Sequence, residues 1–330
     1  MAVTYASRTL QVTDPADDGR RADVVLGRRM PGLSRRMARR MALDGHVRLD
    51  GRRIPPSARV RLGQVLEIVW SVHEPGEEPD ESVEILAVTD DYVFAAKPAG
   101  MHTHRLRPDQ PAALADYVAR LHPECATASP DPREGGAVHR LDLETSGVVV
   151  FARHRKAWTA AREAFSRGAV AKRYLAICHA PPSWPPTGPS DLPGFVRPDD
   201  DDAVWVEAPI GRGPRRDRAA VSLRGPSART RVRRVCTSPD GRYVLTALDL
   251  VTGRRHQARV HLAFLDMPIV GDVKYGPSDE IELPLLLHGT SIDLSPLAPK
   301  VEAPPSDAFV DFLAAHGMGD TGPASPSPPP

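Results

Sequence analysis

Apolar positions come in short helix- and strand-sized groups in the first fifth of the chain and in longer β-branched runs beyond it. Residues 1–18 carry little pattern and fit either a short strand or a loose segment. The stretch Ala22-Asp23-Val24-Val25-Leu26-Gly27-Arg28 is spaced as a helix, and a second helix is predicted from Ser34, a suitable N-cap, to a stop at Asp44-Gly45. At 100° per residue, Arg35, Arg36, Arg39 and Arg40 fall within an arc of roughly 140°, with Met37 and Met41 on the opposite side. Residues 46–49 and 52–54, joined at Asp50-Gly51, predict a hairpin, and a further strand follows Gly63. Residues 71–82 are acidic, contain prolines and show no period, which predicts a linker.

Beyond the linker, residues 83–88 and 92–96 predict two short strands that end at a Lys97-Pro98-Ala99-Gly100 corner. A short helix is expected over 112–121 and a longer one over 154–168, the latter closed by Gly168. Between them, Val148-Val149-Val150-Phe151-Ala152 reads as a buried strand. Residues 170–178 alternate as a strand should, and further strands are expected near 219–223, 228–235 and 244–250. The stretch 181–203, rich in proline and ending in the acid run 199–202, is expected to be an irregular solvated insertion. A helix closes the pattern at 307–315, and the Pro/Ser-rich end, 321–330, is expected to be disordered.

At 330 residues the chain has room for two domains, and its net charge of +1 averages over uneven segments. No run of about 18 apolar residues exists to span a membrane, and residues 1–10 lack the basic start and apolar core of a secretory signal. The three cysteines, Cys125, Cys178 and Cys236, form neither a close pair nor an even set, as expected of reduced thiols in a cytoplasmic protein. No strong exposed apolar face stands out, so a monomer is expected. Between residues 20 and 61 many arginines face only Asp23, Asp44 and Asp50. Such a charge run is commonly a solvated helix face. Arginine's planar fork and the shortage of acids point instead to phosphate binding, hence to a nucleic acid.

The acid that most needs explaining is Asp142, at the mouth of the buried strand. A carboxylate there costs desolvation energy unless a cation or several donors hold it, and adjacent Arg140 cannot be assumed to point the same way. A surface turn cap paired with Arg140 or Arg153 is the plain alternative. His102 and His104 form a pair with no third ligand nearby in sequence, so no metal site is expected. Gly211-Arg212-Gly213 lacks the following helix of a nucleotide phosphate loop.

His139-Arg140-Leu141-Asp142-Leu143-Glu144-Thr145-Ser146-Gly147 resembles the HRLD-x-x-TSG signature of the RluA-type RNA pseudouridine synthases. Other motifs follow the order of that family. They are the Lys97 corner, Lys172-Arg173-Tyr174 for K-x-Y, Thr252-Gly253-Arg254-Arg255-His256-Gln257-Ala258-Arg259 for TGR-x-HQIR, Pro268-Ile269-Val270-Gly271-Asp272 and Lys274-Tyr275-Gly276. Leu285-Leu286-Leu287-His288-Gly289 resembles LLLHA. Ala258 and Gly289 depart from the usual Ile and Ala and bear on local packing. Residues 19–70 resemble the alpha-L RNA-binding domain of a ribosomal protein, through Arg21, Leu33-Ser34-Arg35, Gly45, Val47, Asp50-Gly51 and residues 60–64.

The resemblance implies an α+β fold: a small helix-hairpin RNA-binding domain (19–70) after an N-terminal extension (1–18), the linker, and a catalytic domain over 83–315 with a mixed, mostly antiparallel sheet, before a tail (316–330). It implies conversion of uridine to pseudouridine in RNA without a cofactor, ribosomal RNA of the large subunit being favoured over transfer RNA. Asp142 corresponds to the essential aspartate, as nucleophile or as base. Arg259 is the first choice for its cation and Arg254 the second. Tyr174 would stack on the extracted base, and Arg140 would fill the place of the flipped nucleotide. His139, Lys97, His256 and Gln257 are the further substrate-binding candidates, and Arg35, Arg36, Arg39 and Arg40 the RNA-binding ones. Two rivals remain: a hydrolase using Asp142 with His139 or His256, although Ser146 lacks a nucleophile elbow, and a catalytically silent RNA-binding protein of the same fold.

Overall fold

The computed structural model describes residues 4–31, 33–72, 83–105, 111–190, 192, 195–215, 217–277 and 283–319. The linker expected over 71–82 lies outside them except for its first two residues, and so does the tail from 320. The chain divides into two compact units: Met1–Ala95 with Met101–Arg140 and Val149–Ala161, and Ala96–Gly100 with Leu141–Val148 and Arg162–Pro330.

The first unit begins with β1 (Thr4–Gln11), α1 (Ala22–Arg29), α2 (Arg35–Leu43), β2 (Val47–Leu49), β3 (Arg52–Arg53) and β4 (Val65–Val72). The strands form an antiparallel sheet in the order β1-β4-β2-β3. Of the two conformations open to residues 1–18, the strand is adopted, because β4 offers β1 a partner over its full length. Val25, Leu26, Met41, Val47, Leu66 and Ile68 fill the core between helices and sheet. Ser34 caps α2, its Oγ accepting from Met37 N at 3.2 Å. Asp50 and Gly51 both have positive φ, 49° and 78°, as the tight hairpin requires, and Asp50 Oδ1 also accepts from Val65 N at 2.8 Å. The same unit contains β5 (Glu84–Val88), most of β6 (Tyr92–Lys97), α3 (Leu114–Leu121), the end of β7 (Ser146–Ala152) and the start of α4 (Arg155–Ser166).

The second unit adds β8 (Ala171–His179), β9 (Val196–Asp200), β10 (Ala203–Val206), β11 (Ile210–Arg212), β12 (Ala219–Val221), β13 (Thr230–Thr237), β14 (Tyr243–Leu250), α5 (Gln257–Phe264), β15 (Leu287–Leu294), β16 (Ala298–Glu302) and α6 (Asp307–Ala315). Its sheet runs β7-β15-β8-β14-β13-β10-β9, with β16 on β15 and a separate β11-β12 ribbon. Every neighbouring pair is antiparallel except β7 with β15, which pair in parallel at Ser146↔His288 and Gly147↔Gly289. The sheet is therefore mixed and mostly antiparallel. At that crossing Gly147 has φ 128°, and a Cβ there would collide with the backbone of Gly289, so glycine is required for the strands to approach. Ile177, Val204, Val232, Leu248, Leu262 and Ile269 belong to the core.

The expected irregular insertion needs correction. Its end is an antiparallel pair, β9 with β10. The acid run is held by β13: Arg231 binds Asp199 at 2.5 Å and Asp200 at 3.0 Å, and Arg234 binds Asp202 at 2.5 Å. Four consecutive acids conceal a strand period, which only these partners, distant in sequence, make tenable. In α2, likewise, the arginines are less free than the composition suggests. Arg40 pairs with Asp44 at 3.0 Å and Arg35 approaches Asp23 at 3.6 Å. Arg36 and Arg39 are exposed and have no acidic partner among the described residues.

Candidate active site

The turn 141–145 leads into β7, whose seven residues are all buried. Thr145 N closes it on Asp142 O at 3.2 Å, and Gly100 N donates to Leu143 O at 2.9 Å. Lys97, 1% exposed, donates through Nζ to Leu143 O at 3.1 Å and Pro98 O at 2.8 Å. Burial lowers its pKa to about 7 against the opposing pull of Asp142 and Glu144. Lys97 thus fixes the turn that presents Asp142, whose side chain is 25% exposed.

The opposite wall is α5 and the loop after it. Arg259, 1% exposed, forms a two-pronged pair with fully buried Asp272, Nε to Oδ2 at 2.8 Å and Nη2 to Oδ1 at 2.6 Å. Asp272 Oδ1 also accepts from Lys274 N at 3.0 Å and Tyr275 N at 3.1 Å. With two nitrogens committed, Arg259 turns Nη1 toward the turn, 3.3 Å from Glu144 Oε2 and 3.9 Å from Asp142 Oδ2. Lys274 Nζ reaches Glu144 Oε1 at 3.3 Å. Burial raises the Glu144 pKa, but its own backbone N–H, Arg259 and Lys274 together outweigh that and hold the carboxyl below its ordinary value.

His256 precedes α5 with φ 55°, a strained conformation for a residue with a side chain. Its Nε2 is 3.9 Å from Asp142 Oδ1 and its Nδ1 is 2.7 Å from the Tyr275 hydroxyl. That hydroxyl accepts from Ala219 N at 2.8 Å. The arrangement that uses every group has Tyr275 O–H donating to Nδ1, which leaves the proton on Nε2, facing Asp142. Burial lowers the His256 pKa against the pull of Asp142, which favours the neutral ring.

Tyr174 projects from β8, where its neighbour Leu175 pairs with His288 of β15. Burial and the charge of Asp142 both raise its pKa. A Cβ on Gly289 would lie 3.3 Å from Tyr174 Cε1, so the Gly289 departure leaves the ring its present position. The Tyr174 hydroxyl makes no hydrogen bond among the described residues.

The structure thus brings together Asp142, Tyr174, Arg259, Lys97 and His256. Arg254 does not join them: its Nε donates to Ser227 O at 2.8 Å. Gln257 needs correction as a substrate contact, because its side chain is 2% exposed and already spent. Its Oε1 accepts from Thr252 Oγ1 at 2.6 Å and Arg254 N at 3.0 Å, and its Nε2 donates to Arg229 O and Thr230 Oγ1, both at 3.0 Å. It positions α5. His139 and Arg140 belong to the first unit, where His139 Nε2 accepts from Val150 N at 3.1 Å and Arg140 is exposed. Sequence reasoning gave no role to Asp272, Glu144, Lys274 or Tyr275, although all four lie inside motifs it quoted. Ser146 Oγ is bonded to His288 Nδ1 at 2.8 Å and is buried, so it ties β7 to β15.

Comparison with known proteins gives the family. Residues 91–264 match the family described as RNA pseudouridylate synthase, and residues 20–66 match the S4 domain. An uncharacterized RNA pseudouridine synthase of Chloroflexus aurantiacus is 35% identical over 82% of this chain and 80% of its own. Proteins named ribosomal large subunit pseudouridine synthase D from Xylella fastidiosa and Xanthomonas campestris are 36% and 33% identical, over 82% and 78% of this chain and 76% and 72% of their own. The solved structure of human RNA pseudouridylate synthase domain containing 4 shares the fold, with a TM-score of 0.52 at 24% identity over 70% of this chain and 91% of its own. The chain belongs to the RluA-type RNA pseudouridine synthases, with an S4 domain toward its N-terminus, and isomerises uridine to pseudouridine in RNA.

Proposed function

We propose that the RNA is large-subunit ribosomal RNA and that Asp142 is the carboxylate that acts on the target nucleotide. The names of the relatives at 36% and 33% identity support the first part. The observation that carries the second is the placement of Asp142, partly open to solvent, 3.9 Å from an arginine held in place by a second, buried carboxylate. An ionised carboxylate so placed suits either attack at the ribose C1′ or abstraction of a sugar proton, since both routes pass through an electron-poor sugar.

In this reading the uridine is turned out of its helix and Arg140 takes its place, offsetting part of an unstacking cost of a few kcal/mol. Asp142 acts as the N1–C1′ bond breaks. The uracil is held against Tyr174 while it rotates, C5 bonds to C1′, and the C5 proton leaves as N1 gains one. Atoms are conserved, so neither oxidant nor group donor enters. Arg259 orients Asp142, and the α2 arginines of the 19–70 domain hold flanking phosphates.

Site-resolved pseudouridine mapping of total RNA tests this, with the gene intact, deleted, or replaced by Asp142→Asn. Loss of a ribosomal site in both altered strains supports the reading. Loss confined to transfer RNA overturns the substrate, and a site retained by Asp142→Asn overturns the assignment of the carboxylate.

A further inference from the structure

The β11-β12 ribbon borders a cavity of about 310 Å³ that belongs to neither the Asp142 cluster nor the S4 domain. Ile210, Gly211 and Ala219 form its apolar floor, and Arg212, Arg218, Arg254 and Arg255 line it. Among the described residues no acidic one lines it. Several arginines of this unit meet carboxylates: Arg231, Arg234 and Arg229 pair with Asp199, Asp202 and Glu207. Here Arg212, Arg218 and Arg254 have no acidic partner among the described residues. A backbone carbonyl orients Arg254 instead, Ser227 O taking its Nε at 2.8 Å, and Asp217 O takes Arg255 Nη2 at 2.8 Å. A carbonyl aims a guanidinium without neutralising it. Arg218 Nε is buried without a hydrogen-bond partner among the described residues, a cost that an incoming acceptor would relieve.

We propose that this cavity binds a backbone phosphate of the RNA, a second anchoring point within the catalytic unit. The proposal rests on the RNA reading above. Arginine forks suit a tetrahedral oxyanion, and the apolar floor leaves room for the attached ribose. The segment 254–256 lines the cavity at one end and at the other presents His256 to Asp142. The ribbon is tied to the same histidine, because Tyr275 OH bridges Ala219 N and His256 Nδ1 at 2.8 and 2.7 Å. A phosphate in the cavity therefore fixes the strand on the wall that orients His256.

The full-length chain is titrated onto a fluorescein-labelled in vitro transcript of large-subunit ribosomal RNA over a series of KCl concentrations, as wild type, Arg212→Gln and Arg212→Gln/Arg218→Gln. The double variant is expected to bind about tenfold more weakly at low salt. Its plot of log Kd against log [KCl] should be shallower by about 0.7–0.9, the share of one phosphate. Arg212 is exposed, so the single variant keeps the test open if the double one misfolds, and it should show the same changes in smaller size. An unchanged slope overturns the proposal, with or without weaker binding, because lost shape alone releases no counterion. Pseudouridine mapping with Asp142→Asn scores the functional reading separately, so either can fail alone.

Discussion

Replacing Asp272 by Asn isolates what holds Arg259 in the site. The two side chains are 0% and 1% exposed and share two hydrogen bonds of 2.6 and 2.8 Å. The substitution keeps the shape, removes one charge and leaves a guanidinium buried with only Glu144 at 3.3 Å and Asp142 at 3.9 Å in partial compensation. Breaking a buried pair from one side costs about 3–5 kcal/mol. The remaining carboxylates and the asparagine oxygen, which can still accept from Lys274 N and Tyr275 N, place this case at the lower end. Hydrogen–deuterium exchange of peptides covering 257–264 and 270–276 reads the local opening equilibrium, where about 3 kcal/mol is roughly a hundredfold faster exchange. Activity should fall further than the fraction unfolded explains, since Arg259 would relax toward Glu144. Asp142→Asn is the internal comparison. Asp142 is 25% exposed and stands 3.9 Å from Arg259 and from the His256 ring, so its loss should change exchange by less than about 1 kcal/mol. If Asp142→Asn loosens α5 as much as Asp272→Asn, the anchoring argument is wrong.

Lys97 makes a pH prediction with a definite sign. Its folded-state pKa of about 7 lies below the ordinary lysine value of 10.5, so the unfolded chain binds more protons between those values and stability should rise with pH across that window, with the penalty fully present below it. Chemical denaturation from pH 6 to 10 checks this, and Lys97→Met should flatten the rise. Gly147→Ala should prevent normal folding, since a Cβ would meet the backbone of Gly289, whereas Gly289→Ala, 3.3 Å from Tyr174 Cε1, should shift that ring by a few tenths of an ångström and lower kcat by less than about tenfold. Expression level with circular dichroism tests the first, and steady-state kinetics the second. Tyr275→Phe should cost about 1–3 kcal/mol by stranding Ala219 N, measured as a drop in urea midpoint at constant m-value.

What could be read from the chain alone depended on whether its cause was local. Ser34 as a cap, the Asp50-Gly51 turn and the run 148–152 are each decided within a few residues, and each stands where expected. Helix α5 gave no such signal. Six of its eight residues are buried, including Arg259 and His261, so it has no polar stripe to set a period. The arginine excess of residues 20–61 is smaller than the composition of that window suggests, because some of the acids that meet its arginines lie outside it. Asp17 takes Arg28 and Arg29 at 3.2 and 2.6 Å, and Asp18 takes Arg61 at 3.5 Å. One partner is local, Asp44 at i+4 from Arg40.

The same reasoning separates the two carboxylates of the site. Asp142 could be singled out because its own neighbours make it costly, a charge at the mouth of a buried strand. Asp272 could not, because its cost and its compensation both come from Arg259, 13 residues away on a helix without a period. The motif that contains Asp272 marks it as one of a fixed set without saying what it does. Its role follows from a count of guanidinium nitrogens: Nε and Nη2 are taken by Asp272, and Nη1 is the one left to face Glu144 and Asp142. A lysine at 259 would have one nitrogen for all three acids, which is why Arg259→Lys should fail to support turnover even where it keeps the charge.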